Sequence, residues 1–513
     1  MCRRVRAVLA SMLLLVTVVA CTGDERAPAA PGTFSVALGE PASLLPAEIT
    51  DLPGRLVADA VWTPLTAPGD GQGAEPEPLA AESITSTDQR SWTIRLRAGM
   101  RFHDGTPVTA QAYVDTWEAA EREGWAGATV LTETLRAEKF RATGERTIEL
   151  VLERPLGQVP LILGSTALLP LPPSAVAARD WAGFARHPVG NGPYRLAEDW
   201  RPGAGARLTR FEGYRGPRPG TAREIGLRVA ADAAEQYELA RTGEVDLATE
   251  VPGDQHHRMA EDFGDRVLMW PLPELTMLGV PAGDERFADA ASRHAIALAI
   301  DRAALEEGPL GHQVDLASAL LPPAMPLGHR SGTCRPCNHD PRAAQALWEQ
   351  AGKPAPELAV HFAEGTGQES WVRPLAEQLG DMLGSTARPS PVPAAEYREL
   401  LERGTADGLF VLSHVLRTRS PHELLAPLRS GAGSNRTGYA SEGFDQMMAE
   451  AGGAAELGTS GELYRLAENQ LLRDLPVIPL WSRHGHAVWG ERLGGVTASP
   501  NLAIDLAAID VPS

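Results

Sequence analysis

One apolar run sets the terms for everything after it. Ala7 to Ala20, preceded by Arg3, Arg4 and Arg6, falls short of the ~20 residues that cross a bilayer and suits the core of an export signal. No second long apolar stretch follows. The rest of the chain must therefore fold on the far side of the membrane by packing its own cores, and 513 residues are enough for two or three of them. Residues 1-20 are expected to be a removable signal peptide. The Arg3-Arg4 pair leaves both the general and the twin-arginine export routes open.

Val18-Val19-Ala20 runs directly into Cys21. Small residues before a cysteine at this place resemble the bacterial lipobox, which implies that Cys21 becomes the mature N-terminus and carries acyl chains. Several chains on one residue anchor stably. Residues 21-32 are polar, small and Pro-rich, as in a tether. Cys2 is lost with the leader, leaving Cys334 and Cys337 in SGTCRPCNHD. Outside the cytosol this CxxC is expected to close a short disulfide, the other reading being half a zinc site with His329 and His339 nearby. No second CxxC or well-spaced His pair completes a zinc set, so no metal site is assigned.

The net charge of −19 argues against nucleic acid and against adhesion to anionic lipid. Only Lys139 and Lys353 are lysines among 47 basic residues, a bias that reflects coding more than chemistry. Alternating segments, FSVAL (34–38) and WTIRL (92–96), predict strands. Helical spacing covers 110–120, 230–241, 293–306, 341–351 and 461–473, with Thr109 and Asp340 at N-cap positions. Strands and helices interleave throughout, which predicts an α/β or mixed α+β fold.

The order of short motifs is more specific. GEPASLLP (39–46), ADAVWTPLT (58–66), LAAESITSTDQRSWTIRLRAGMRFHDGTPVTA (79–110), VGNGPYRL (189–196), ARTGEVDLA (240–248), RHAIALAIDRAAL (293–305), DPRAAQALWEQAG (340–352) and LLRDLPVIPLW (471–481) follow one another. In that order they resemble family 5 of the extracytoplasmic solute-binding proteins, the oligopeptide- and dipeptide-binding type. Most of these motifs are scaffold: Asp104-Gly105 is a tight-turn signal, and Gly190-Asn191-Gly192-Pro193 turns the chain into a strand at Tyr194. The resemblance implies a two-lobed periplasmic-binding-protein-like fold with an extra subdomain. It places lobe I at 33-60, 187-275 and 478-513, the inserted subdomain at 61-186 and lobe II at 276-477. The lobes would join at crossings near 275–280 and 477–481. It also implies a monomer without cofactor that captures a small peptide or other small polar solute by lobe closure and hands it to ABC permease and ATPase subunits. Two other roles share this sequence pattern: a ligand-sensing lipoprotein not coupled to import, and a binder of an oligosaccharide, carboxylate or metal chelate.

Peptide binders of this type hold the ligand's α-amine with an aspartate in a stretch like W-x-x-D-x-x-D-P. Here the matching stretch is His414 to Pro421, with His414 for the tryptophan, Arg417 for the first aspartate and Ser420 for the second. An ammonium facing Arg417 would be repelled, at a cost of several kcal/mol. If Arg417 faces the cleft, its planar fork suits carboxylate, phosphate or sugar hydroxyls; the other reading of Arg417 and Arg419 is solvated surface charge. Glu40, Thr276 and Tyr397 complete the candidate ligand contacts, with Glu40 able to act alone or pair with Arg417. Tyr397 and Trp481 are equally compatible with core. No G-x-S-x-G, H-E-x-x-H, P-loop or G-x-G-x-x-G setting is present, so no catalytic residue is assigned. The pairs His256-His257 and His484, His486 are expected to point to different faces rather than converge on one ion.

Overall fold

The computed structural model describes residues 32–69, 75–325, 327–499 and 503–511. The expected leader, Cys21 and most of the tether lie outside them. No helix among the described residues is long and apolar enough to cross a membrane.

The two alternating segments form strands Thr33–Leu38 and Ser91–Leu96. In the second, Trp92, Ile94 and Leu96 are buried while Ser91, Thr93 and Arg95 face water, the period-two pattern of a sheet with one wet face. Helix Ala110–Glu123 starts at Thr109, whose Oγ1 accepts from Ala112 N at 3.2 Å, and stops at Gly124 with φ 69°. Helix Pro341–Gln350 starts at Asp340, which accepts from the backbone N–H groups of Arg342 and Ala343.

The expected helix over 293–306 is instead two, Ala290–Ala299 and Arg302–Glu307, with Ile300 extended between them. Arg302 explains the break. It is 3% exposed, and a buried guanidinium needs acceptors for its several N–H groups. It donates to the carbonyls of Ala297, Ile300, Cys337 and Pro479. The N–H of Asp301, which would bond Ala297 O in a continuous helix, donates to Gln378 Oε1 at 2.9 Å. Asp301 Oδ1 then caps the second helix by accepting from Ala304 N. Burial holds the Arg302 guanidinium down to about 10.

One sheet of twelve strands runs through both lobes. On one side Thr33–Leu38 pairs in parallel with Glu224–Val229 and Leu247–Ala248. On the other, Glu357–Ala363 pairs in parallel with Thr386–Val392 and Leu409–Val415, with helices Glu369–Leu383 and Ala394–Arg403 as the crossovers. The strand Val477–Trp489 joins the two sides. Its first part pairs with Glu274–Gly279 and Val314–Leu316, and from His484 onward it pairs with Val267–Pro271 and then Leu247–Ala248. The change of partner thus falls between Arg483 and His484, just beyond the 477–481 stretch expected to cross. The returning chain changes sides between Pro271 and Glu274, just before 275–280. Arg483 Nε donates to the buried Glu274 carboxylate at 2.6 Å across this junction.

Three main cores flank the sheet. One gathers residues between Leu275 and Trp481. A second combines Phe34 to Trp62 with Leu169 to Leu272 and Ala487 to Ile509. The third spans Leu65 to Leu168 around a four-stranded antiparallel sheet of Ala81–Thr85, Ser91–Leu96, Thr147–Leu152 and Ala137–Gly144. Gly190 and Gly192 are small because they press on Val61: a Cβ on either would lie 2.1 Å from Val61 O or 2.5 Å from Val61 C.

Candidate functional site

A cavity of about 950 Å³ opens between the third core and the Leu275–Trp481 body, at the upper end of the ~300–1,000 Å³ usual for small-molecule sites. One wall comes from the turn over Val130–Thr134 and from Arg136 and Arg154; the other comes from 412–417 and 422–437. Five arginines line it: Arg136, Arg154, Arg417, Arg429 and Arg436. The acids on its walls are Glu133 and Glu423.

Local structure fixes the loop that carries Arg417. The Glu423 carboxylate accepts from Arg417 N at 2.9 Å, Thr418 N at 2.7 Å and Thr418 Oγ1 at 2.6 Å. From behind, buried Arg55 donates Nη2 to Leu416 O at 3.0 Å, and Ser420 donates to Gln158 Oε1. Glu423 is thereby spent on backbone. The Arg417 and Arg154 guanidinium groups make no hydrogen bond or ion pair among the described residues. Arg429 Nε is buried without a partner, and burial, with Arg154 and Arg136 nearby, lowers its pKa. Arg136 is paired with Glu153. His414 and His422 also line the cavity, and burial keeps both rings neutral, His422 at about 4. The wall is therefore rich in guanidinium groups within an acidic protein: Arg154, Arg417 and Arg429 make no ion pair among the described residues, and Asp445, which acts on Arg429, is not on the cavity wall.

The candidate contacts divide. His414 and Arg417 lie on the cavity wall. Glu40 is exposed, accepts from Trp200 Nε1 and Gly203 N at 2.7 Å each, and neither lines the cavity nor meets Arg417. Thr276 is half-buried in register with Ser413 and Trp481 and is not on the cavity wall, although the next residue, Met277, is. Tyr397 is core: it is 7% exposed and donates to the carbonyls of Val411 and His361. Trp481 packs edge-on against Trp371 in the largest core. Arg419 is not a solvated charge, because its Nε and Nη2 donate to Ala324 O. Arg136, Arg154, Arg429 and Arg436 were not singled out by sequence, and among so many arginines no local pattern marks them.

Cys334 and Cys337 are joined as a disulfide. Nearby, His329 and His339 turn their Nδ1 atoms to the carbonyls of Leu321 and Leu298. The histidine pairs need a correction. His484 and His486 are two apart on a strand and so share a face, and the turn Gly253–Arg258 lays His256 against them. Burial takes His486 down to about 3 and His256 to about 4.

The model of the bacterial extracellular solute-binding proteins, family 5, matches residues 75–436. DdpA of Escherichia coli (strain K12) is 22% identical over 432 residues, 83% of this chain and 82% of that protein. The glutathione-binding protein GsiB of Shigella flexneri serotype 5b is 24% identical over 415 residues, 78% of this chain and 80% of that protein. Among solved structures, the murein tripeptide binding protein MppA of Escherichia coli superposes with TM-score 0.71 at 19% identity, covering 93% of this chain and 98% of that one. OppA of Haemophilus influenzae, in complex with RPPGFSPFR, superposes with TM-score 0.71 at 18% identity over 94% and 99%. These likenesses share a two-lobed fold with this chain.

Proposed function

The chain belongs to the bacterial extracellular solute-binding proteins of family 5, and from that membership we propose that it captures a small peptide-like solute rich in carboxylates for an ABC importer. One observation carries the ligand class: Arg154, Arg417 and Arg429 face one cavity and make no ion pair among the described residues. Guanidinium groups left together repel one another, and a planar carboxylate that forks onto them relieves both the repulsion and the missing hydrogen bonds. Arg417 stands where a peptide binder's amine-holding aspartate would be, so the ligand's anionic part sits at that end. Glu133, exposed on the facing wall, is the acid that remains for an ammonium group. The relatives support a peptide-like solute, since one is named for glutathione, itself a tripeptide with two carboxylates, and one is solved with a peptide.

Capture works by closure. The wall at 129–136 belongs to one body and the wall at 412–437 to another, and the strand Val477–Trp489 joins the lobes. A ligand touching both walls stabilises the closed form by its differential affinity for closed over open. The closed form is what docks on the permease. Acylated Cys21 holds the protein at the outer face of the membrane, a reading that rests on the leader sequence.

A thermal-shift screen of the leaderless chain against acidic, neutral and amidated di- and tripeptides, oligosaccharides and metal chelates tests the proposal. Ligand at 100 times its Kd contributes about 2.7 kcal/mol to the folded state. Acidic peptides should raise Tm, and amidation of their carboxylates should abolish the shift. Equal stabilisation by neutral sugars or fully amidated peptides would sink the ligand class.

A further inference from the structure

The junction of the lobes carries a second cluster that the cavity does not use. The rings of His256 and His486 lie 4.3 Å apart, those of His484 and His486 4.6 Å. One nitrogen from each of the three rings falls within 4.8 Å of the other two. His486 is 3% exposed, and its Nε2 has no hydrogen-bond partner among the described residues. An imidazole nitrogen buried unpaired is a cost that a bound cation removes.

His484 shows which of its atoms is free. Its Nε2 lies 3.0 Å from the carbonyl of His312. A carbonyl only accepts, so Nε2 carries the proton and Nδ1 keeps its lone pair. Histidines that bind metals often donate the other N–H to a backbone carbonyl in this way. That free Nδ1 lies 3.4 Å from Asp315 Oδ1. A lone pair beside a carboxylate oxygen repels it unless a cation stands between them. With bonds of ~2.0–2.2 Å, two ligand atoms on a tetrahedral zinc lie about 3.3 Å apart. Gln313 Nε2 donates to Val251 O at 2.9 Å and to His256 Nε2 at 3.1 Å, so a metal bound at His256 Nε2 takes the place of that N–H.

We propose that His256, His484 and His486 bind a divalent transition metal of the zinc type at the junction of the lobes, with Asp315 beside His484 as the nearest carboxylate. Three imidazole nitrogens are a donor set suited to zinc and unsuited to calcium or magnesium. The place gives the metal a mechanical consequence. His256 comes from the turn after Leu247–Ala248, Asp315 from a strand paired to Ser482, and the other two histidines from the strand between them. Gly253 and Gly311 already bring those segments into backbone contact. A metal there ties both sides of the crossing together and resists their relative rotation.

The test uses leaderless protein made without a polyhistidine tag, stripped with chelator and titrated with Zn²⁺ against a chromophoric competitor at neutral pH. One Zn²⁺ per chain with Kd of ~1 µM or tighter is expected. His256→Ala, on the half-exposed turn, and His486→Gln should each weaken it at least ~10-fold, Asp315→Asn less. His187→Ala, an exposed histidine paired with Asp199, and Arg417→Ala should leave it unchanged. Circular dichroism and Tm verify that each variant folds. Absence of binding tighter than ~100 µM, or binding indifferent to both His256→Ala and His486→Gln, would overturn the proposal, a proton shared by His484 and Asp315 then being the cation. Because Arg417→Ala spares zinc and His256→Ala leaves the arginine cavity intact, failure here is distinguishable from failure of the peptide reading.

Discussion

Replacing Arg429 with Met should weaken the ligand while leaving the empty protein no less stable, two effects of opposite sign from one substitution. In the cavity, Arg429 Nε is buried without a partner among the described residues; burial weighs most on its charge, and Arg154 and Arg136 press like charge on it against Asp445. An unpaired buried donor costs ~1–3 kcal/mol; because the side chain is half-buried and solvent screens it, the low end, about 1 kcal/mol, applies. Met keeps the aliphatic stem and removes that cost, so unfolding free energy should stay level or rise by about 1 kcal/mol. On binding, the guanidinium makes a charge-assisted hydrogen bond to a carboxylate worth ~1.5–3 kcal/mol. Its loss weakens Kd roughly 10- to 150-fold. Urea unfolding of the apo protein gives the first quantity, and calorimetry with the best acidic peptide from the screen gives the second. If Arg429→Met lowers apo stability by more than ~1 kcal/mol and leaves Kd unchanged, Arg429 is scaffold and the anion-receptor argument falls with it.

Three further outcomes are expected. Glu468 is fully buried, accepts from Leu320 N and Leu321 N, leaves Oε2 unpaired, and is raised by burial to about 7. The folded state therefore holds a proton that the unfolded state has lost, and stability should fall as pH rises from about 4.5 to about 7. Glu468→Gln keeps an acceptor for both N–H groups, so it should flatten that slope and stabilise at pH 8; an unchanged slope in urea midpoints against pH refutes the assignment. A Cβ on Gly157 would lie 2.0 Å from Ala454 O, where Gly157 N donates to Gly452 O at 2.7 Å, so Gly157→Ala should cost about 1–3 kcal/mol by forcing that contact apart, read as a lower urea midpoint. Cys21→Ala should move the exported protein from the membrane fraction to the soluble one, and retention at the membrane would refute the lipid anchor.

The parts that sequence made legible are those set by neighbours along the chain. Period-two alternation at 92–96 and the caps Thr109 and Asp340 need only local residues, and all appear in the structure. The helix over 293–306 misled because its break depends on carbonyls at Cys337 and Pro479 that Arg302 finds only in the folded state. The cavity was half legible: Arg417 stood out as the wrong charge in a recognisable stretch, whereas Arg154 and Arg429 meet it only through folding. Glu40 and Tyr397 show the converse. One is held by Trp200 and the other by Val411 O, partners that no motif announces. For the histidines, the expectation of different faces failed because His484 and His486 are two apart on one strand and share a face, and because folding brings in His256 from more than two hundred residues earlier.

The strand that links the lobes also dictates an order of events during export. The first strand, Thr33–Leu38, pairs with Leu247–Ala248, which in turn needs Val488 and Trp489. The core around Phe34 and Val36 includes Leu493, Ile504 and Ile509. On the general export route, where a chain emerges unfolded and N-terminus first, the core around its earliest strand stays unfinished until nearly every residue has crossed. The Leu275–Trp481 core is contiguous in sequence and can consolidate sooner. Such long-range closure is slow and leaves strand edges open to wrong partners meanwhile. A chain that stalls short of residue 489 would hold one finished lobe and one that cannot close, an early target for proteases.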